Sequence, residues 1–346
     1  MSPTKNSAAI FNSVPEGYPV LNETIVTGSS EIDLDNVPLS GGILVKSTYL
    51  SIDPYLRGKM RDVSTRTYAT GFEIGKPISN FGVGKVIRSE KDGVRPGDFL
   101  YVHDLPFQEY NVLKPEHPIR VIKDEPGIPL SAYIGVLGMP GQTAFYGLET
   151  VGNPVKGETI FVSSGASAVG SLVVQLAKAK GLKVIASVGS DDKVDFLKSI
   201  GADVAFNYKK DNIADVLSKE GPIDIYWDNV GGSTLEAALD ACNTGARVIV
   251  CGAISQYNMT EPYAIKNATH ILFKRLKVEG FFVIHGEQQY EGHLNNPAKF
   301  LGALVPLIQS GKIKWSEQVY KGIESTGEGI IAVQTGANTA KVVIEV

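Results

Sequence analysis

The stretch VSSGASAVG at 162–170 gathers small residues where a helix would begin. That arrangement binds phosphate, because the first backbone N–H groups of a helix have no intrahelical acceptor and the helix dipole favours an anion. Ser164, Ser167 and Gly170 fall at i, i+3 and i+6, with Gly165 one place after the first. The usual G-x-G-x-x-G spends its glycines on a tight turn, on close approach of a pyrophosphate and on packing of helix against strand. By spacing alone, 162–170 fits an ordinary tight turn as well as it fits a nucleotide loop.

The flanks favour the nucleotide loop. Residues 158–164 open with β-branched and aromatic residues and read as a buried strand. Val169, Leu172, Val173, Leu176 and Ala177 then fall on one helical stripe, which ends at Lys178, Lys180 and Gly181. A second strand, 183–188, follows directly, completing the β-loop-α-β unit of a dinucleotide fold. An NAD enzyme places Asp or Glu at the end of that second strand to hold the ribose 2′-hydroxyl. Here Gly189 and Ser190 stand there, followed by Asp191, Asp192 and Lys193. The small pair leaves room for a 2′-phosphate and Lys193 offers it a charge, which points to NADPH. On the plainer alternative Ser190 only caps a helix over 191–200 and Lys193 is solvated. Asp191 and Asp192 suit a helix N-terminus but would repel a phosphate if turned inward.

No metal chemistry is legible. The histidines, His103, His117, His270, His285 and His293, lack metal-ligand spacing, and neither Cys242 nor Cys251 lies in a C-x-x-C. The two cysteines are expected on a sheet-packed helix and a strand, as small buried hydrophobes. With two cysteines in 346 residues a disulfide framework is excluded and a reducing compartment, the cytoplasm, is expected. A net charge of -4 without a clustered basic stripe argues against nucleic-acid partners. No apolar run of spanning length or signal-peptide core argues for a membrane.

Two domains must position these residues. To about residue 130 the chain is punctuated by Gly and Pro, with short β-rich runs at 42–50, 82–88, 98–102 and 107–113, the rhythm of a small β-barrel. From about Met139 strand and helix alternate: 158–164, 169–180, 183–188, 191–200, 223–227, 233–242, 246–252 and 276–284. This is the pattern of an α/β, doubly wound parallel sheet. After a helix near 297–310 the tail returns to β character at 341–346 and rejoins the first domain. The expected division is 1–130 with 305–346 against 131–304.

With these elements placed, the chain resembles the zinc-independent alkenal and enone reductases of the medium-chain dehydrogenase/reductase superfamily, a group that includes leukotriene B4 dehydrogenase/prostaglandin reductase and plant double-bond reductases. The motifs are YLSIDPYLRG at 49–58, GVRPGD at 93–98, GSDDK at 189–193, FNY at 206–208, WDNVGG at 227–232, CGAISQY at 251–257, EGF at 279–281 and GAN at 336–338. The resemblance covers nearly the whole chain and implies a GroES-like β-barrel substrate domain beside a Rossmann domain. It implies that Ser167, Ala168, Val169 and Gly170 line the pyrophosphate, that Lys193 and Tyr208 hold the 2′-phosphate end, and that Asn229 lies along the cofactor. Further cofactor contacts are implied for Cys251, Gly252, Ala253, Ile254, Ser255, Gln256 and Tyr257, for Phe281, Phe282 and Val283, and for Asn338. The family's A-x-x-G-x-x-G becomes Ser164-x-x-Ser167-x-x-Gly170 here.

Zinc enzymes of the superfamily take a metal ligand from the segment that here reads SIDPY at 51–55, without cysteine. Alcohol oxidation needs something to stabilise an alkoxide, which zinc normally does as a Lewis acid. Hydride addition to the β-carbon of an α,β-unsaturated carbonyl instead develops an enolate, which hydrogen-bond donors stabilise. The resemblance points to Tyr257 and Tyr55 as residues facing such an enal or enone across the domain cleft. The plainer alternative is that both pack with their hydroxyls bonded internally. Arg57 is either a binder of an acidic substrate tail or a structural residue. Tyr68, Phe72 and Phe81 either wall a pocket or join the core. A quinone reductase of the same superfamily and a non-catalytic NADPH-binding protein are the competing functional readings. Strand 276–284 is a candidate edge for a homodimer.

Overall fold

The computed structural model describes residues 3–65, 67, 69–123, 125–283 and 297–346. They fall into two units, Met1–Gly135 with Glu317–Val346, and Val136–Ser316.

The first unit begins with a hairpin, β1 (Thr4–Phe11) and β2 (Ile25–Ile32), paired antiparallel from Thr4–Ile32 to Phe11–Ile25. Then come β3 (Ile43–Ser51), the single turn α1 (Leu56–Lys59), β4 (Ser79–Ser89), β5 (Phe99–Pro106), β6 (Tyr110–Leu113) and β7 (Ile119–Val121). The second unit holds α2 (Met139–Gly147), β8 (Thr159–Val162), α3 (Ala168–Ala179), β9 (Lys183–Val188), α4 (Asp191–Ser199) and β10 (Val204–Asn207). It continues through α5 (Ile213–Glu220), β11 (Ile223–Asp228), α6 (Gly232–Ala241), β12 (Cys242–Val250), α7 (His270–Phe273), β13 (Lys277–Gly280) and α8 (Pro297–Gln309). The chain returns to the first unit with β14 (Glu317–Lys321), α9 (Thr326–Thr335) and β15 (Lys341–Glu345).

In the first unit the strand order is β14-β15-β3-β4-β5-β7, with β6 on β3; every pairing except β14 on β15 is antiparallel. Its core gathers Phe11, Ile43, Val45, Leu50, Leu100, Leu105 and Phe107, and β15 contributes Val342 and Ile344 from the far end of the chain. Strands β3, β4, β5 and β15 carry consecutive buried residues, so their runs show no strict alternation of apolar and polar places.

The second unit is the doubly wound sheet, wholly parallel, in the order β10-β9-β8-β11-β12-β13. Strands β8, β9 and β11 are buried on both faces, which explains their unbroken apolar runs. The order reverses between β8 and β11, and ligands of such sheets bind beyond the strand C-termini at that reversal.

Several expected boundaries move. The unit boundaries fall after Gly135 and Ser316, not at 130 and 304, because α8 belongs with the second unit: Phe300 packs on Phe145 and Tyr146 of α2, ring centroids 5.7 and 6.3 Å apart. Cys242 opens β12 instead of closing a helix, since it pairs with Ile223 of β11. Cys251 lies just past that strand and is half-buried. The last expected strand is shorter, β13 ending at Gly280; position 284 lies outside the described residues.

Candidate active site

The phosphate loop leaves β8 at Ser163 and enters α3 at Ala168. Ser164 takes a left-handed φ of 51°, which turns the chain without the glycine usual at that point. Ser167 is the N-cap of α3, its Oγ accepting from Gly170 N at 3.0 Å. The two glycines do the packing. A Cβ on Gly170 would lie 2.4 Å from the Ser164 carbonyl oxygen, and one on Gly165 would lie 2.9 Å from Ala186 Cβ on β9. Three of the family's small-residue roles are therefore redistributed: a serine turns, a serine caps, and glycines sit where helix, loop and strand touch. The N–H groups of Ala168 and Val169, in the first turn of α3, have no intrahelical acceptor.

At the end of β9, Gly189 leaves a notch. A Cβ there would come within 3.2 Å of the Tyr208 hydroxyl and 3.4 Å of Lys209 Cε. Ser190 is the extended N-cap of α4 but makes no side-chain cap bond, so capping does not account for it. Lys193, in the first turn of α4, is half-buried, and burial followed by the nearby Lys209 charge holds its ammonium below the usual lysine range. Asp191 turns away: it accepts from Asn207 Nδ2 at 3.0 Å and pairs with Lys210. Asn207 Oδ1 in turn accepts from Lys209 N at 3.1 Å, tying the basic loop to the start of α4. Sequence reading missed Lys209, whose only signal was its place beside Tyr208.

At the reversal point a buried network joins β8 to β11. Asp228, wholly buried, accepts through Oδ1 from Tyr226 OH (2.7 Å), Val230 N (2.9 Å) and Gly231 N (2.8 Å). Burial raises its carboxyl above the ordinary range, against those three bonds. Asn229 donates to the Ser163 carbonyl at 2.7 Å and accepts from Trp227 Nε1 at 3.1 Å. Its side chain is thus a strut of the turn. The segment 251–257 is laced onto this turn by backbone: Cys251 and Gly252 N–H meet the Asp228 carbonyl (2.9 and 3.0 Å), Ile254 meets Asn229 (3.2 Å) and Ser255 meets Val230 (3.1 Å). Gln256 N closes back on Ala253 O at 2.8 Å. Ala253 N donates to the Tyr257 hydroxyl at 3.1 Å. Burial pushes the Cys251 thiol up to about 12, so it is no nucleophile. Phe281 N bonds Val250 O at 3.0 Å; the rings of Phe281 and the side chain of Val283 are buried, and Phe282 is exposed.

Tyr55 and Asn338 lie in the other unit. Asn338 Nδ2 donates to Ala340 O at 2.8 Å. Tyr55 is half-buried against the barrel core and its hydroxyl donates to Asn80 Oδ1. The Tyr55 proton thus goes to Asn80. Asn80 leads inward to Ser51, Asp53 and Lys341, none of which sequence reading singled out for a role; a lone lysine in the apolar run KVVI was the available signal. Arg57 is structural, donating to the carbonyls of Pro15 (3.1 Å) and Gly17 (2.8 Å). Phe72 and Phe81 are buried core residues, and Tyr68 lies outside the described residues. Among the described residues no three His, Cys, Asp or Glu side chains gather to hold a metal ion. His285 and His293 lie outside them.

Comparison with known proteins gives this geometry a context. A family model described as zinc-binding dehydrogenase matches residues 168–296, and one described as N-terminal domain of oxidoreductase matches 10–121. A zinc-type alcohol dehydrogenase-like protein of Schizosaccharomyces pombe is 39% identical over 337 residues, covering 95% of this chain and 94% of that protein. The NADP(+)-dependent 2-alkenal reductase of Nicotiana tabacum is 37% identical over 352 residues, covering 99% and 97%. The crystal structure of CurA from Vibrio vulnificus in complex with NADPH superposes with a TM-score of 0.87 at 32% identity, covering 98% of both chains.

Proposed function

This chain belongs to the medium-chain dehydrogenase/reductase family, and on that premise we propose that it reduces the C=C bond of α,β-unsaturated aldehydes and ketones with NADPH. The observation that carries the reading is the full-length likeness to an NADP-dependent 2-alkenal reductase, supported by the notch at Gly189 with Lys193, Tyr208 and Lys209 about it. A 2′-phosphate beside Gly189 would meet the Lys193 and Lys209 charges, where an acidic residue would repel it.

NADPH supplies the hydride that adds to the β-carbon, so that the π electrons move to the carbonyl oxygen as an enolate and the α-carbon then takes a proton. This chain's residues bind and orient. The N–H groups of Ala168 and Val169 would take the pyrophosphate, with Ser167 and Gly170 shaping the turn beneath it, Lys193 and Tyr208 would take the 2′-phosphate, and Asn229, 251–257, 281–283 and Asn338 the rest of the cofactor. Tyr257 stabilises the oxygen on which charge develops; its own oxygen is pinned by Ala253 N–H, which orients the hydroxyl. Tyr55 is the barrel's contribution to the substrate. The reaction proceeds without zinc: at 51–55 the polar groups that would face a cation are already taken by the Lys341 ammonium. No helix among the described residues is long and apolar enough to cross a membrane. A cytoplasmic homodimer joined along β13 completes the reading, supported by the exposure of the neighbouring Leu272 (74%) and Phe273 (72%).

The test is NADPH consumption with trans-2-nonenal, with the product identified by mass spectrometry and NADH in parallel. Saturated aldehyde formed with NADPH and unaffected by EDTA is expected. Allylic alcohol would overturn the C=C assignment, turnover of quinones alone would favour a quinone reductase, and NADPH binding without any turnover would favour a non-catalytic protein.

A further inference from the structure

Preference between two cofactors is a difference of two affinities, so a group that would spoil the right one matters as much as the lysines that attract it. NAD enzymes hold the ribose 2′-hydroxyl with an acid near the end of the second strand. This chain carries such an acid. Strand β9 ends at Val188, and after Gly189 and Ser190 it is Asp191 that opens α4. Facing the notch at Gly189, its carboxylate would accept from a 2′-hydroxyl and repel a 2′-phosphate.

That carboxylate is engaged elsewhere. Asn207, the last residue of β10, pairs with Val188 at the end of β9 and is 7% exposed. Its Nδ2 donates to Asp191 Oδ1 at 3.0 Å, and its Oδ1 accepts from Lys209 N at 3.1 Å. A carboxylate only accepts and a backbone N–H only donates, so these two partners fix the amide in one orientation. The Asn207 carbonyl also accepts from Lys210 N (2.8 Å) and Asp211 N (2.9 Å), which closes the turn 207–211. The turn sorts its side chains. Tyr208 and Lys209 stand at the notch, and Lys210 Nζ pairs with Asp191 Oδ2. The charges divide in the same way: Lys210 acts on the Asp191 carboxyl, whereas Lys209 acts on the Lys193 ammonium. The Asn207 bond first, then Lys210, hold the carboxyl below the ordinary carboxylate range, so it is ionised at neutral pH. An ion pair whose side chains are 62% and 64% exposed adds little stability. Its consequence is where the negative charge points.

We propose that Asn207 and Lys210 are specificity-determining residues for the cofactor, a latch that turns Asp191 from the Gly189 notch and keeps the 2′-phosphate from meeting an acid there. This rests on the reading that the notch takes the 2′-phosphate.

Fluorescence titration of the full-length protein with NADPH and with NADH reads binding without turnover. It is applied to a cycle of Asn207→Ala with Lys210→Ala, Asp191→Ala alone, and all three together. Opening the latch is expected to weaken NADPH about tenfold and to tighten NADH about threefold. Asp191→Ala alone is expected to leave the ratio of the two Kd values within about twofold of wild type, and, added to the open latch, to restore it to within about twofold. Residues that only hold the notch together would weaken both cofactors alike. A Lys210 that only lends its charge to the phosphate would give a loss that Asp191→Ala does not restore. Either result overturns the proposal, as does an open latch with an unchanged ratio. If Asn207→Ala does not fold, Lys210→Ala, at an exposed position, carries the same cycle with a shift of about threefold and the same restoration by Asp191→Ala. A wild type that binds NADPH and NADH equally refutes the notch reading and the proposal with it, while the C=C assignment, read from the product, stands.

Discussion

At the C-terminal edge of the parallel sheet, Tyr257 is held by main chain. Segment 251–257 hangs on the carbonyls of Asp228, Asn229 and Val230, and the hydroxyl itself receives Ala253 N–H. In the barrel, Tyr55 is held by side chains: an amide, a hydroxyl, a carboxylate and an ammonium drawn from β3, β4 and β15. Main-chain bonds survive substitution of the residues that make them, whereas a chain of side chains fails at its weakest member. The two tyrosines also differ in sense, one receiving a proton at its oxygen and the other giving its own away. The molecule therefore has a tolerant site and a brittle one, and replacing single residues exposes the difference.

The largest effect is expected at the buried pair. Lys341→Met leaves Asp53 buried without its counter-charge, which costs about 3–5 kcal/mol. Combining it with Asp53→Asn removes the stranded charge, so the pair of changes is expected to be less destabilising than Lys341→Met alone. Urea denaturation with an unchanged m value measures this. A double variant as unstable as the sum of the two singles would mean that the ion pair is not what holds the barrel site together.

The tyrosines come next. Tyr257→Phe removes a donor where charge develops and is expected to lower kcat about 100-fold, against about tenfold for Tyr55→Phe. NADPH affinity, measured by fluorescence titration, should be unchanged by Tyr55→Phe. The reverse order of the two kcat effects would break the contrast between the two tyrosines.

The tolerant region was also the more legible in sequence. Strands β8, β9 and β11 are covered on both faces, so their continuous apolar runs announced them, and the helix stripe from Val169 to Ala177 placed the loop between them. Lys209 was missed there because a lysine in a loop looks solvated until Gly189 is seen to bring it to the notch. The barrel was legible only as a rhythm. Hairpin β1–β2 escaped notice because runs such as TKNS and TGSS are polar, leaving no clean alternation. The pairing of Asp53 with Lys341 spans 288 residues, and no local pattern states that a strand at the C-terminus lies beside β3. Side-chain networks between distant strands are invisible to periodicity, whereas a loop tied to its own strand and helix is not.

A smaller effect is expected at the lysines proposed to hold the cofactor. Lys193→Ala is expected to reduce the preference for NADPH over NADH by about tenfold, measured as the ratio of kcat/KM values, since one charge to the 2′-phosphate is lost. Lys209→Ala should act in the same direction and less strongly. Tm should move little in either, because Lys209 is exposed and Lys193, half-buried, loses with its side chain an ammonium that burial disfavours. A loss of affinity shared equally by NADPH and NADH would show that these lysines support the fold of the notch and not the phosphate.

The smallest effect is one of pH, and here the two units respond in opposite senses. In the barrel, His103 lies edge-on to Phe81 and Tyr101, with ring centroids 5.0 and 5.3 Å away. Burial first, then the Arg120 and His117 charges, hold it at about 4, with Asp104 opposing them. The unfolded chain binds a proton at about 6.5, so between there and about 4 the unfolded state holds more protons, and stability is lost as pH falls through that window. In the cofactor unit, burial raises the Asp228 carboxyl above its ordinary 3.8. There the folded state holds more protons, and stability is lost as pH rises from that value. His103→Phe keeps the ring packing and is expected to shrink the fall in Tm between about pH 7.5 and pH 5 by about 2–4 °C. Asp228→Asn keeps an acceptor at Oδ1 and is expected to change the pH dependence in the opposite direction. If both substitutions shift the acid limb the same way, then neither burial sets the pH response, and the contrast between a charge-held and a backbone-held unit does not extend to stability.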